Sequence, residues 1–176
     1  DPAAAVTFDL ANGHVHLDGG GPRVLVPAEA LLVLARHAGE DELAELGHAL
    51  GTPAGHRIAA RLAGGDDADA SPRAVRDTPI ERVVEELAGE LALLGLGSFS
   101  VERWGRALVF VVDHAPFDAE GDGLLAEVLQ AALRVMLGTS AARLVPLPRD
   151  GARARMLMVS GAAVARVRAR LTDGKH

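Results

Sequence analysis

The chain has 176 residues, a net charge of −6, 49% apolar residues and no cysteine. That length fits one domain, and a domain of this size hides roughly 70% of the surface its unfolded chain exposes. The lack of cysteine excludes disulfides, thiolate metal sites and a cysteine nucleophile.

The core is expected to be aliphatic, because there are four Phe, one Trp and no Tyr. Lys175 is the lone lysine, so nearly all positive charge is arginine, a bias that fits a GC-rich bacterial genome. Charge is unevenly spread. Residues 1–140 carry 10 Arg against 22 Asp and Glu, which gives −12, and residues 141–176 carry 8 basic against 2 acidic groups, which gives +6. A basic segment can mark a nucleic-acid face. This one has no aromatic residue for base stacking and belongs to an acidic chain, so internal or intersubunit pairing is expected, and no nucleic acid. No apolar run approaches bilayer length, and the first residues lack the basic and apolar regions of a signal peptide. A cytoplasmic protein without membrane insertion is expected.

Residues 6–10 and 14–17 alternate around Asn12-Gly13, a hairpin signal. "RVLVP" (23–27) follows the "DGGGP" turn and reads as a further strand. Pro27 then opens a helix to about His37, with Leu31, Leu32, Leu34 and Ala35 apolar, and Gly39 stops it. A second helix spans about 41–62 on Leu43, Leu46, Leu50, Ile58 and Leu62, with Pro53 expected to kink or split it. Residues 64–77 read as a polar surface loop within the one domain, 1–176. Thr78-Pro79-Ile80-Glu81 reads as a capping box for a third helix. Its stripe is Ile80, Val83, Val84, Leu87, Leu91 and Leu94.

Strands are expected at about 97–104 and 106–113, then a helix at 121–137 on Leu124, Leu125, Val128, Leu129, Leu133 and Met136. Strands at 142–147 and 154–160 follow, and a helix at 161–171 closes the series with Val164, Val167 and Leu171 on one face. The order from Thr78 is α-β-β-α-β-β-α. The expected fold class is therefore α/β of the α+β kind: a four-stranded antiparallel sheet with helices packed on it, preceded by short strands and two helices. "ALVFVV" (107–112) is apolar at odd and even positions, so both its faces must be covered, the second by the N-terminal strands or by a partner chain.

Gly47, Gly51 and Gly55 recur every four residues, followed by Ala59 and Ala63. Small residues at this spacing let another backbone approach closely, as a tight internal crossing, a dimer interface or a cavity wall. His14 and His16 share a strand face, but no third ligand is near. His48 and His56 lie two helical turns apart, not the single turn of a zinc pair. Asp113-His114 could form an acid–base pair, yet no nucleophile motif accompanies it. The Gly clusters at 19–21 and 64–65 lack the setting and the lysine of a phosphate loop. No enzyme, no metal and no cofactor are expected.

"HVHLDGGGPRVLVPAEALLVLA", "ELGHALGTPAGHRIA", "LGLGSFSVERWGRALVFVVDHAPF", "GLLAEVLQAALRVMLG" and "VPLPRDGARARMLMVS" together cover most of the chain. In element order, Gly spacing and strand character they resemble the 4-vinyl-reductase-type (hydrocarbon-binding) domain and the small TRAPP subunits. The chain departs from the family where cysteines are common. Ala115-Pro116 stands for Cys-Pro, and Ala152 and Arg153 follow Asp150-Gly151. Zinc-thiolate and acyl-cysteine versions are thus lost. The resemblance implies a dimerising domain that encloses a hydrophobic cavity and senses a small apolar molecule, or an assembly module of TRAPP-like type with a protein partner. Phe99, Trp104, Phe110, Met136, Met156 and Met158 are the candidate ligand-lining residues, since Met and aromatics shape adaptable apolar pockets. Gly47, Gly51 and Gly55 are the candidate dimer interface.

Overall fold

The computed structural model describes residues 5–17, 22–64, 75 and 77–173. The turn at 18–21 and most of the 64–77 loop lie outside the described residues. Strands β1 (Val6–Asp9), β2 (His14–Leu17) and β3 (Pro22–Arg23) form a three-stranded antiparallel sheet. Asp9 pairs with His14 around a four-residue loop. Its carboxylate accepts the Asn12 amide N–H at 3.1 Å and Asn12 Nδ2 at 2.8 Å, which holds the Asp9 pKa below its usual value. The strand expected at 23–27 ends at Arg23; Val24 and Leu25 are 84% and 72% exposed.

Helices α1 (Ala28–His37), α2 (Glu40–Ala63) and α3 (Ile80–Leu93) follow. Leu31, Leu32 and Ala35 of α1 pack on the core, whereas Leu34 faces out. The α2 helix runs unbroken through Pro53, so the expected split does not occur. Pro79, not Thr78, is the cap residue of α3 and caps it with its own carbonyl, which accepts from Arg82 and Val83. The helix thus begins one residue later than the sequence places it.

The main sheet contains β4 (Ser98–Trp104), β5 (Ala107–Asp113), β6 (Ala142–Asp150) and β7 (Arg153–Ser160) in the order β4-β5-β7-β6, all antiparallel. This is the four-stranded sheet expected from the two hairpins. Each hairpin turns through two residues, with Gly105 (φ 63°) and Gly151 (φ 76°) leading; a positive φ there suits glycine. Helix α4 (Asp122–Leu137) joins the hairpins, and α5 (Val164–Thr172) follows the last strand.

Strand alternation divides the sheet residues. Phe99, Phe110, Val112, Ala154, Met156 and Leu144 join one cluster with Leu87 and Leu91 of α3 and Leu124, Leu125, Leu129 and Met136 of α4. Val109, Val111 and Val145 point to the opposite face and are 0%, 0% and 2% exposed. The centre of both faces is thus covered within one chain.

The edge strand β6 is closed by a side chain of α4 and by a proline of its own. The Leu144 N–H points out of the sheet and donates to Gln130 Oε1 at 3.0 Å. Outward donors alternate along a strand, so the next position is Pro146, which has no N–H to leave unpaired. A further strand therefore finds no continuous row of donors there.

The glycine stripe lies against α4 of the same chain. A Cβ on Gly47 would come within 2.3 Å of Glu127 Cβ, one on Gly51 within 2.1 Å of the Val128 carbonyl oxygen, and one on Gly55 within 2.7 Å of the Ala132 carbonyl oxygen. The three glycines form an internal crossing, not the dimer interface for which they are candidates, because α4 already fills the space they leave. Two ion-pair anchors secure the helices. Glu90 of α3, 1% exposed, accepts Arg57 Nη2 at 2.7 Å and Arg61 Nη2 at 2.8 Å from α2. Asp122 accepts Arg149 Nε at 2.9 Å and Nη2 at 2.5 Å, and the same guanidinium reaches the Phe117 and Asp118 carbonyls.

Two glycine substitutions separate packing from propensity. Gly51→Ala meets backbone and is expected to cost about 1–3 kcal/mol or more. Gly89→Ala in α3 meets nothing within 4 Å and is expected to add about 0.5–1 kcal/mol. Urea unfolding of both variants checks the pair; equal effects would contradict the crossing.

Candidate functional site

The helix-facing side of the sheet gathers most of the candidate lining residues. Phe99 and Phe110 are diagonal neighbours across β4 and β5, with ring centroids 5.5 Å apart and planes at 21°. That offset stacking suits the aromatic quadrupole. Met156 sits opposite Phe110 in the ladder. Met136 enters the same cluster from α4, and both methionines are fully buried. Met158 is half-buried at the cluster's margin. Five candidates therefore share one layer of aromatic and thioether side chains.

Trp104 does not reach that layer. Its partner across the hairpin is Ala107, on the parity of Glu102 and Val109, and so on the opposite face. It is 50% exposed, and its indole N–H donates to Glu102 at 2.9 Å. Around it runs a charged strip: Arg153 Nε donates to Asp113 at 2.7 Å and its Nη1 lies 3.8 Å from Glu102.

The layer is built of apolar side chains, and the buried Gln130 of α4 is fully engaged elsewhere. Gln130, 4% exposed, uses its carbonyl on Leu144 and its amide on Glu127 at 2.9 Å. The open clefts lie elsewhere. One of about 610 Å³ runs between α2, α4, β6 and α5, and one of about 360 Å³ adjoins it near Arg149 and Leu171.

The titratable candidates remain dispersed. Asp113 is taken by Arg153, and the exposed His114 has a left-handed backbone, φ 56°, that turns the chain off β5. His48 and His56 are exposed, and His48 Nδ1 meets the Thr52 hydroxyl at 3.0 Å. His14 and His16 rings touch edge to face at 5.8 Å. Among the described residues, no three His, Cys, Asp or Glu side chains are grouped to hold a metal. None of their helices is long and apolar enough to cross a membrane.

Sequence reasoning missed the Arg57–Arg61–Glu86–Glu90 cluster. Its signal is two i, i+4 pairs of opposite charge on successive helices.

No protein-family model and no curated protein matches this sequence. The structure does match a solved one. The chain is similar to the phenol-responsive sensory domain of the transcription activator PoxR, solved with phenol, at a TM-score of 0.61 and 14% identity, over 97% of this chain and 92% of that one. The two chains share one fold.

Packing and lining make different demands on Met136. A residue packed on all sides is expected to lose about 2–5 kcal/mol on Met136→Ala, through lost burial and the void left behind. A residue beside an existing cavity adds less new void and is expected at the low end of that range, about 2 kcal/mol. Chemical denaturation of the variant separates the two cases, and the full burial of Met136 favours the larger loss.

Proposed function

We propose that this chain is a non-enzymatic regulatory domain that binds a small hydrophobic molecule and works as a dimer, as the hydrocarbon-binding (4-vinyl-reductase-type) domains it resembles are expected to do. The observation that carries the reading is a fold shared along 97% of the chain with a phenol-responsive sensory domain. The layer of Phe99, Phe110, Met136, Met156 and Met158 supports it, because thioether chains repack around an apolar guest at low cost. The ligand enters that layer between the sheet and α4, with no cofactor and no metal, and the domain acts in the cytoplasm.

A second reading, an adaptor module of TRAPP-like type without a ligand, is favoured by one observation. Phe8, Leu10, Val24, Leu25, Val33 and Leu34 are each at least half exposed, and all belong to the first 34 residues. Scattered apolar residues are ordinary on a surface, but this concentration in one stretch suits a protein contact. A homodimer joined through these residues serves both readings.

Thermal shift against phenols, fatty acids and tetrapyrroles decides between them. A ligand at a hundred times its Kd stabilises the fold by about 2.7 kcal/mol, or roughly 5–10 °C in Tm for a chain of this size. Failure of every compound to raise Tm overturns the sensor and leaves the adaptor. Light scattering checks the dimer: wild type is expected at twice the chain mass and Leu25→Glu at the chain mass. A monomeric wild type overturns the dimer in both readings.

A further inference from the structure

We propose that the cleft between α2, α4, β6 and α5 is a second binding site, for a small organic carboxylate, in which Arg134 and Arg143 hold the anionic group. The cleft has about 610 Å³, room for a ring-sized molecule. Its apolar lining comes from Leu43, Ala126, Leu144, Pro146 and Val164. Arg134 of α4 and Arg143 of β6 both line this space, Arg143 from the rim of the edge strand.

The two arginines are short of partners. Arg134 Nε is buried without a hydrogen-bond partner. Arg143 uses Nη1 on the Ser140 and Ala142 carbonyls, at 2.7 and 3.3 Å. Among the described residues, neither has a carboxylate within ion-pair distance, whereas Arg36, Arg57, Arg61, Arg82, Arg149, Arg153 and Arg168 do. Partial burial, and next the charge of Arg143, hold the Arg134 pKa below its usual value, with Glu127 opposing. Two guanidinium groups that repel each other in a cleft are held in waiting for an anion that would relieve both. A carboxylate accepts from such a pair through charge-assisted hydrogen bonds.

Three acidic residues also line the cleft. Glu127 is engaged by Gln130, and Glu40 by Arg168 at 3.2 Å across the mouth, which leaves Asp41 at the far end on α2. The α5 wall has no buried residue, and its Arg168–Glu40 pair is exposed, so the mouth opens at small cost.

Calorimetric titration of the full chain at fixed ionic strength tests the site, with benzoate as the probe, benzyl alcohol as its neutral counterpart and inorganic phosphate as a small anion. Benzoate is expected to bind at least tenfold more tightly than either. Arg134→Gln and Arg143→Gln are each expected to weaken benzoate at least tenfold. Undiminished binding in either variant overturns the proposal, as does equal binding of benzyl alcohol or of phosphate. Unliganded Arg134→Gln is expected to melt at or above the wild-type temperature, because it loses a repelled charge. A lower Tm would make Arg134 a structural residue and overturn the assignment. These outcomes do not depend on whether the Phe–Met layer binds anything.

Discussion

The structure depends on two helices meeting backbone to backbone. Where Gly47, Gly51 and Gly55 of α2 face α4, the missing side chains are replaced by the main chain of Val128 and Ala132 and by Glu127. An isolated α2 would be a poor helix. Each interior glycine costs about 1 kcal/mol and the proline about 3 kcal/mol relative to alanine. The close approach offsets that cost through dispersion contacts along the whole crossing. Helix α2 therefore exists because α4 is there, and Pro53 is tolerated because tertiary contacts on both sides of it hold the axis.

Fixing α4 fixes the rest. Eleven of its sixteen residues are buried, including Asp122 and Gln130, so it is enclosed on nearly every side. Its N-terminus is tied to β6 by Asp122–Arg149, and its middle to the β6 edge by Gln130. The lopsided charge is used in the same way. Arg149, Arg153 and Arg168 from the basic C-terminal part pair with Asp122, Asp113 and Glu40 from the acidic part. The asymmetry works as complementarity within one chain. The semi-buried Arg149 pair matters most, since removing one partner of such a pair leaves a charge without compensation.

Much of this was legible in the sequence where one period dominates. The stripes of α3 and α4 run as helical spacing implies, with Ile80 alone facing out from the α3 set. The two hairpins lie where Gly105 and Gly151 interrupt the strands. What failed required a partner that local sequence cannot name. Val24 to Val26 have strand propensity, but β3 pairs over two residues only, and unpaired residues do not make a strand. Propensity there lost to the lack of a neighbour. The adjacency of β5 and β7 also depends on tertiary packing, because either hairpin strand could have been the inner one. The misplacement of Trp104 was avoidable. It lies five residues from Phe99 on one strand, an odd separation, so the two side chains must point to opposite faces. Its aromatic character argued for the core; its parity argued against, and parity prevailed.

The two sides of α4 are mechanically unlike. On the α2 side the glycines bring the helices together against the backbone and Cβ atoms of α4, which no rotamer change can move aside. On the sheet side the contact is made by Met136, Met156, Met158 and the stacked Phe99–Phe110 pair. Close-packed interiors yield by rotamer changes, not by general swelling, and unbranched thioethers have more accessible rotamers than the β-branched residues of β5. A guest that enters between the helix and the sheet must therefore be accommodated by methionine movement and a small shift of the sheet hairpins, while α2 and α4 stay together as one block.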